Sequence, residues 1–301
     1  MMVNPLRFQR VHRFIRVEVG MSRIELKSDK QILWMREAGL VVADIHRALR
    51  QAAIPGVTLL ELDEVSAGVI AKNGAKSNFL GYGGFPATVC ISVNDTVVHG
   101  IPDMTRLERG DLVSFDCGAY VEREGRQWHG DAAFTMIVGG DEAGSDEARR
   151  LNSVTEESMW AALAAVAKGK RIYDIGDAVE EVVEKRRDGN WEAGIIEEYT
   201  GHGIGTAMHQ APEVLNYRPR GLSPRIKPGM VLAVEPMLTD GSFETFVLED
   251  DWTVKTSDGS LASHWEHTIA RTSQGVWVLT SPDGGAAGLA PYGVKPTPLS
   301  A

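Results

Sequence analysis

The hydrophobic residues that follow Ser28 recur at the spacing of a single helix face. Ser28-Asp29 has the chemistry of a helix N-cap, so the pattern predicts a long helix over residues 29–53, which Pro55-Gly56 ends. A second stripe of the same kind begins after Thr58 and ends at Gly74, a suitable helix terminator. This part of the chain is therefore predicted to form two consecutive helices.

Shorter apolar runs follow these helices, after a glycine-rich loop at residues 81–86. They are rich in β-branched and aromatic residues, which favour strands over helices. The predicted strands cover residues 88–93, 96–99, 112–115 and 133–138.

After Gly139-Gly140 the same order of elements begins again, with helical stripes over residues 146–167 and 174–187. Equivalent landmarks in the two halves keep one constant separation: Gly56 and Gly169, Leu62 and Ile175, Val69 and Val182. A repeated order with a fixed separation indicates an internal duplication.

The most informative match joins residues 110–116 to residues 229–235. Each segment has a turn glycine, then an apolar strand, then one acid at the end of that strand, Asp116 or Glu235. Two related halves built from helix pairs and strands predict an α+β sandwich with a pseudo-two-fold axis. The two strand-end acids should converge on that axis.

The composition excludes several classes of protein. The 301 residues include 43% apolar and 24% charged positions, which fits one large globular domain or two small ones. A net charge of −10 disfavours a nucleic-acid partner, and no apolar run approaches the roughly 18 residues of a membrane span. The two cysteines, Cys90 and Cys117, indicate a reducing cytoplasm and predict neither a disulfide framework nor a Cys-x-x-Cys zinc site.

Both ends of the sequence differ from the region between them. Residues 1–22 are arginine-rich but lack the apolar segment of a secretory signal, so they are predicted to be a basic extension or to follow from a wrongly assigned start codon. Residues 23–281 form the predicted catalytic domain. Residues 282–301 are rich in glycine, alanine and proline and are predicted to be a flexible tail.

Candidate chemistry centres on Gly201-His202-Gly203, where glycines allow close approach to a bound group. Four acids interrupt or end apolar runs: Asp116, Asp131, Glu235 and Glu266. A buried ionised carboxylate is too unfavourable unless it is paired or bound to a metal. With His202, these acids form a hard ligand set that suits a pair of Mn²⁺, Fe²⁺, Co²⁺ or Zn²⁺ ions, which together can activate a water and polarise a carbonyl.

Each residue alone has a simpler interpretation. A strand-end Asp is commonly a turn residue, and His99 or His209 alone would fit a hydrogen-bonded core. The remaining histidines are interpreted as structural, in the case of His129, His264 and His267, or as surface residues, in the case of His12 and His46. The metal interpretation is favoured because the ligand candidates occur together in duplicated or glycine-marked segments.

From about residue 23 to 280 the chain resembles type I methionine aminopeptidases, which have the pita-bread fold. The motifs that carry the resemblance are Leu80-Gly81-Tyr82-Gly83-Gly84-Phe85-Pro86, Cys90-Ile91-Ser92-Val93-Asn94, Val98-His99-Gly100-Ile101-Pro102, His129-Gly130-Asp131, Gly201-His202-Gly203-Ile204-Gly205, Val234-Glu235-Pro236-Met237 and Glu266-His267-Thr268.

The resemblance implies a role for each site residue. Asp116 would bind one metal ion, Asp131 and Glu266 would bridge both ions, and His202 and Glu235 would complete the second. His99 and His209 would contact the scissile peptide and stabilise the tetrahedral intermediate, and Glu235 would also carry the proton. A methionine pocket would be lined by Tyr82, Phe85, Cys90 and Trp252, with Phe79 and Met208 at its edges.

The sequence departs from the family pattern in several places. Phe79 stands where relatives carry Cys, Gly83 where they carry His, Met208 where Phe is common, and His264 where Gln is common. The separation between Asp116 and Asp131 is also longer, and residues 121–126 are predicted to form an enlarged hairpin turn. The sequence shows no N-terminal zinc-finger region of the eukaryotic type. It also shows no large helical insert before Trp265, which argues against a type II enzyme.

The implied activity is removal of the initiator methionine from nascent proteins with a small second residue. The alternatives are a proline-type aminopeptidase or dipeptidase of the same fold, or a catalytically silent relative that binds peptides. The resemblance also implies a cytoplasmic monomer that acts on nascent N-termini. The basic residues 1–20 are a candidate ribosome contact. The charge and the lengths of the apolar runs predict no direct nucleic-acid readout and no membrane attachment.

Overall fold

The helices begin where the sequence places their caps. In a computed structural model, which describes residues 23–189 and 191–300, helix α1 spans Asp29–Ala52. The Ser28 hydroxyl accepts the Gln31 N–H, and the Gln31 side chain accepts the Ser28 N–H, so two free donors at the helix start are satisfied. The predicted basic extension and His12 lie outside the described residues.

The other three long helices also match their predicted positions to within a few residues. Helix α2 covers Leu59–Lys72, and Thr58 and Glu61 form the same reciprocal cap there. Helices α3 and α4 cover Asp146–Lys168 and Tyr173–Lys185. Ser145 begins α3 by accepting the Ala148 N–H.

The strands are short except for one long hairpin. In chain order, the structure forms β1 (Lys76–Ser77), β2 (Val89–Val93), β3 (Thr96–Val98), β4 (Leu112–Arg123), β5 (Arg126–Ile137), β6 (Gly194–Ile195), β7 (Gly201–Gly203), β8 (Gln210–Val214), β9 (Val231–Val234), β10 (Met237–Thr239), β11 (Thr245–Val247), β12 (Val254–Thr256), β13 (Ala262–His264), β14 (His267–Arg271) and β15 (Val276–Val278).

The two halves repeat one sheet topology. Strand β4 pairs antiparallel with β2 and β5, and β9 pairs antiparallel with β7 and β14. Asp116 lies in β4 and Glu235 directly follows β9, so the acids occupy equivalent places. The helix pairs α1–α2 and α3–α4 precede these sheets in the same order, as the predicted duplication requires.

Backbone hydrogen bonds join the two halves beside these acids. Ala133 of β5 and Glu266 exchange both bonds, with the Glu266 N–H 3.0 Å from the Ala133 carbonyl. The Thr268 hydroxyl donates to the carbonyl of Asp131 at 2.7 Å and accepts its N–H at 3.1 Å. The seam therefore fixes two candidate ligands, Asp131 and Glu266, relative to each other.

The hairpin between β4 and β5 corrects one prediction. The strands continue through Arg123 and from Arg126, so only Glu124 and Gly125 form the turn, with φ of 51° and 70°. Two positive φ angles match the twist of antiparallel strands in a tight turn. The additional residues therefore lengthen the strands and do not enlarge the loop.

The surface assignment of His46 is wrong. His46 is buried on the sheet side of α1, with its Nε2 atom 3.0 Å from the Ala132 carbonyl. It lies on the same helix face as Val42 and Leu49, which are also buried. The helical stripe therefore includes a polar residue that satisfies a strand carbonyl.

Residues after 282 make contacts that a free tail would lack. Leu289, in the short helix α5 (Ala286–Leu289), is fully buried in the main core. Gly288 packs so closely on the Trp160 ring that no side chain would fit there. The Tyr292 hydroxyl donates to the Glu157 carbonyl at 3.0 Å. The glycine and alanine content of this segment predicts a flexible tail, but in the structure a small residue such as Gly288 allows close packing.

The docked segment makes a testable contribution to stability. We expect Leu289→Ala to lower the free energy of unfolding by about 2–5 kcal/mol, because it leaves a cavity in the core. Leu222, which is 82% exposed, provides the control, and Leu222→Ala should change little. Urea denaturation measures both, and equal small effects would contradict the docking.

Candidate metal centre

The strands bring the predicted ligands together on the axis between the halves. His202 in β7 lies opposite Ala233 of β9, two residues before Glu235. Asp131 in β5 and Glu266 before β14 face the same space. Ligand atoms of Asp131, His202 and Glu266 all lie within 4.8 Å of one another, and all three residues are buried.

The carboxylates at this centre are poorly satisfied by the protein. Asp116 Oδ1, Asp131 Oδ1 and Glu266 Oε1 are buried and accept no hydrogen bond from any described residue. Burial raises the pKa of Asp116 to about 7. It also raises the pKa values of Asp131, Glu235 and Glu266 well above the usual range, and the charges of the neighbouring carboxylates raise them further.

The pair formed by His202 and Glu235 has the geometry of two ligands that share one cation. The Nδ1 atom of His202 lies 3.0 Å from the Gly203 carbonyl, which can only accept, so Nδ1 carries the proton. Burial lowers the pKa of His202 well below its usual value, which keeps the ring neutral. Its Nε2 lone pair then faces Glu235 Oε1 at 3.4 Å. Two acceptors at this distance fit a shared metal ion.

The predicted substrate histidines border this centre. His209 packs against His202 with ring centroids 4.4 Å apart, and its Nδ1 atom lies 2.9 Å from the Tyr82 hydroxyl. His99 has a left-handed φ of 58° and packs edge-on against Trp252. Burial lowers the pKa of both histidines to about 4, so both are neutral.

A buried apolar cluster adjoins the candidate ligands. Phe79, Phe85, Cys90 and Met208 form one buried cluster, with Trp252 packed against it. Phe85 meets Trp252 edge-on at 5.2 Å. The backbone explains why the cluster and the candidate ligands are neighbours, because Cys90 pairs with Asp116 and Met208 precedes His209.

The glycine at position 83, one of the departures from the family pattern, has a structural consequence. Gly83 has a φ of 55°, and a Cβ atom there would lie 3.2 Å from the Trp252 ring. Glycine therefore lets Trp252 pack over the loop, beside Tyr82, which is 43% exposed.

His264, interpreted as structural from the sequence, lies beside the ligands. It is 1% exposed, and its Nε2 atom is 3.8 Å from Glu235 Oε2. The sequence contains a pattern that could have indicated this position, because His264 and Glu266 are two positions apart, which is the spacing of residues on one face of a strand. The same spacing relates His129 to Asp131, and the His129 Nδ1 atom lies 2.8 Å from Asn78 Oδ1.

The sequence analysis also missed a buried lysine that holds the loop carrying His209. The Lys27 side chain is 1% exposed, and its Nζ atom lies 3.1 Å from Gln210 Oε1 and 3.3 Å from the Glu25 carbonyl. Glu25 in turn accepts the Thr206 hydroxyl at 3.2 Å. Residues 25–27 therefore anchor the segment from 205 to 210.

The buried lysine predicts a specific dependence of stability on pH. Burial lowers the pKa of Lys27 from 10.5 to about 8, so between these values the unfolded chain binds more protons than the folded one. The stability of the native protein should therefore rise relative to that of Lys27→Met, by about 2 kcal/mol between pH 8 and 10.

Urea denaturation of both proteins across this range provides the measurement. Comparison with Lys27→Met removes the contribution of groups common to both proteins. A stability difference that stays constant from pH 8 to 10 would contradict the buried lysine.

Comparisons with known proteins agree with this geometry. Residues 34–272 match the model of metallopeptidase family M24. A methionine aminopeptidase 1 of Mycobacterium tuberculosis is 48% identical over 265 residues, covering 87% of this chain and 96% of the relative.

Solved structures support the fold. A methionine aminopeptidase from Thermotoga maritima superposes with a TM-score of 0.79 at 36% identity, covering 86% of this chain and all of that one. A prolidase from Pyrococcus furiosus has a TM-score of 0.65 at 20% identity, covers 85% of this chain and 65% of the prolidase, and shows the shared fold alone. The predicted α+β pita-bread architecture is confirmed. No helix in the part of the chain that the structure describes could cross a membrane.

Proposed function

Because this chain belongs to metallopeptidase family M24, and within it to the type I methionine aminopeptidases, we propose that it removes the initiator methionine from new proteins. The supporting observation is that a buried apolar cluster adjoins a set of buried carboxylate oxygens that accept no hydrogen bond from described residues. The cluster suits an unbranched thioether side chain, and the ligand set suits hydrolysis of the adjacent peptide bond.

We propose that five side chains hold two divalent ions, each manganese, iron, cobalt or zinc. Asp116 would bind one ion, His202 and Glu235 the other, and Asp131 and Glu266 both. The buried carboxylate oxygens support this assignment. Burial and mutual repulsion raise the pKa values of these acids, and bound cations would lower them again by stabilising the ionised carboxylates. When bound, such ions lower the pKa of a water molecule and polarise a carbonyl.

The neighbouring side chains would then bind the substrate and move the proton. Glu235 is the proposed proton carrier, from the attacking water to the leaving amine. If the Tyr82 hydroxyl donates to Nδ1 of His209, the His209 proton resides on Nε2 and can be donated to the substrate. His99, neutral for the same reason of burial, would contact the scissile peptide from the other side.

The apolar cluster would select the first residue of the substrate. Phe79, Phe85, Cys90 and Met208 would surround the methionine side chain, with Tyr82 and Trp252 at the rim. We propose nascent chains with a small second residue as substrates, met in the cytoplasm by a monomer. We also propose that the protein contacts the ribosome where new chains emerge.

Removal and replacement of metal tests the activity. Chelator should abolish release of methionine from Met-Ala-Ser, and one or more of Mn²⁺, Fe²⁺, Co²⁺ and Zn²⁺ should restore it, because the ligand set requires cations. Met-Lys-Ser should be cleaved poorly. Preferred cleavage of Ala-Pro-Ser, or undiminished activity after chelation, would contradict the proposal.

A further inference from the structure

The backbone holds His264 in a fixed position. His264 pairs with Met237 across β13 and β10, and its N–H lies 3.0 Å from the Thr135 hydroxyl oxygen. The Thr135 hydroxyl donates to the His264 carbonyl at 2.8 Å. The His264 backbone nitrogen also lies 3.2 Å from the Ser114 hydroxyl oxygen. With both main-chain groups held by the other half of the protein, the direction of the side chain is set by the seam.

The ring of His264 reaches the centre but is not satisfied there. Its Nε2 atom is buried and has no hydrogen-bond partner within residues 23–189 and 191–300. A buried polar atom without a partner is unfavourable. An imidazole carries at least one N–H whether it is neutral or protonated, so this ring has a donor to offer.

Glu235 lies between two imidazoles. His202 faces its Oε1 atom at 3.4 Å, and His264 faces its Oε2 atom at 3.8 Å. The second distance exceeds the usual hydrogen-bond range of about 2.7–3.2 Å, and a small rotation of either side chain would close it. His202 presents a lone pair, so of these two imidazoles it is His264 that can donate to the carboxylate.

We propose that His264 is a positioning residue that donates its Nε2 proton to Glu235 Oε2 and thereby orients the carboxylate toward the metal. The inference rests on the ligand role proposed above for Glu235. A donor of this kind reduces the freedom of a ligating carboxylate and strengthens metal binding. Relatives with Gln at this position would place an amide nitrogen at the same number of bonds from the backbone.

Two variants separate the donor from the ring. His264→Gln retains a donor of equal reach, whereas His264→Phe retains a ring of similar shape without a donor. The chelated proteins are titrated with Mn²⁺ alone by calorimetry, and their melting temperatures are recorded before metal is added. We expect the Phe variant to bind Mn²⁺ about 10–100-fold more weakly and the Gln variant to bind within about threefold of the native protein.

The metal-free melting temperature distinguishes positioning from folding. Because His264 Nε2 lies beyond hydrogen-bond distance of every described residue, including Glu235 at 3.8 Å, His264→Phe removes no formed bond, and the protein without added metal should melt at or above the native temperature. For the metal-loaded enzymes, kcat should fall in the Phe variant and recover in the Gln variant, while KM for Met-Ala-Ser changes little.

Glu235→Ala serves as the reference for the ligand set. Native-like Mn²⁺ affinity in His264→Phe, with weakened binding in Glu235→Ala, would overturn the role of His264 and leave the ligand set intact. A Gln variant as weak as the Phe variant would also overturn the donor role, because it would show that the imidazole itself is required. Native-like affinity in Glu235→Ala would reject the ligand set on which the inference rests.

Discussion

The dominant constraint on this structure is the burial of four carboxyl groups around one neutral imidazole. Each acid is unfavourable as an anion in such a place, and their mutual repulsion raises their pKa values further. Protein donors do not neutralise them, since three carboxylate oxygens accept no bond in the described part of the chain. Bound cations are the simplest means of stabilising this arrangement.

The duplicated topology explains how one chain can assemble such a site. Each half supplies a central strand with an acid at its end, and the seam between Ala133 and Glu266 holds the halves together. The candidate ligands thus lie in strands or directly beside strand ends that have hydrogen-bonded neighbours, which fixes their positions more firmly than long loops would. The apolar cluster proposed to bind the substrate uses the same framework, because Cys90 is the strand partner of Asp116.

Much of the fold could be predicted from the sequence because local signals agreed with the tertiary structure. Ser28, Thr58 and Ser145 begin helices through their own side chains, so these helix starts are locally encoded. The acids at strand ends also stood out, because a charge beside an apolar run is energetically unusual.

The rest depended on contacts between residues distant in sequence. His46 is buried against a backbone carbonyl of β5, and Lys27 is buried against an amide side chain of β8. The sequence around His46 or Lys27 does not indicate either partner. The docking of Leu289 depends on a helix more than a hundred residues earlier, and low-complexity composition hides it. His264 gave a signal in its spacing from Glu266, but its significance depended on the position of Glu235.

The most direct test of the metal centre is anomalous X-ray diffraction from crystals grown with Mn²⁺, recorded on both sides of the manganese absorption edge. If the five side chains hold two ions, we expect two anomalous peaks about 3.5–4 Å apart, enclosed by Asp116, Asp131, His202, Glu235 and Glu266. Manganese bound away from these side chains, or no peak among them at saturating Mn²⁺, would contradict it.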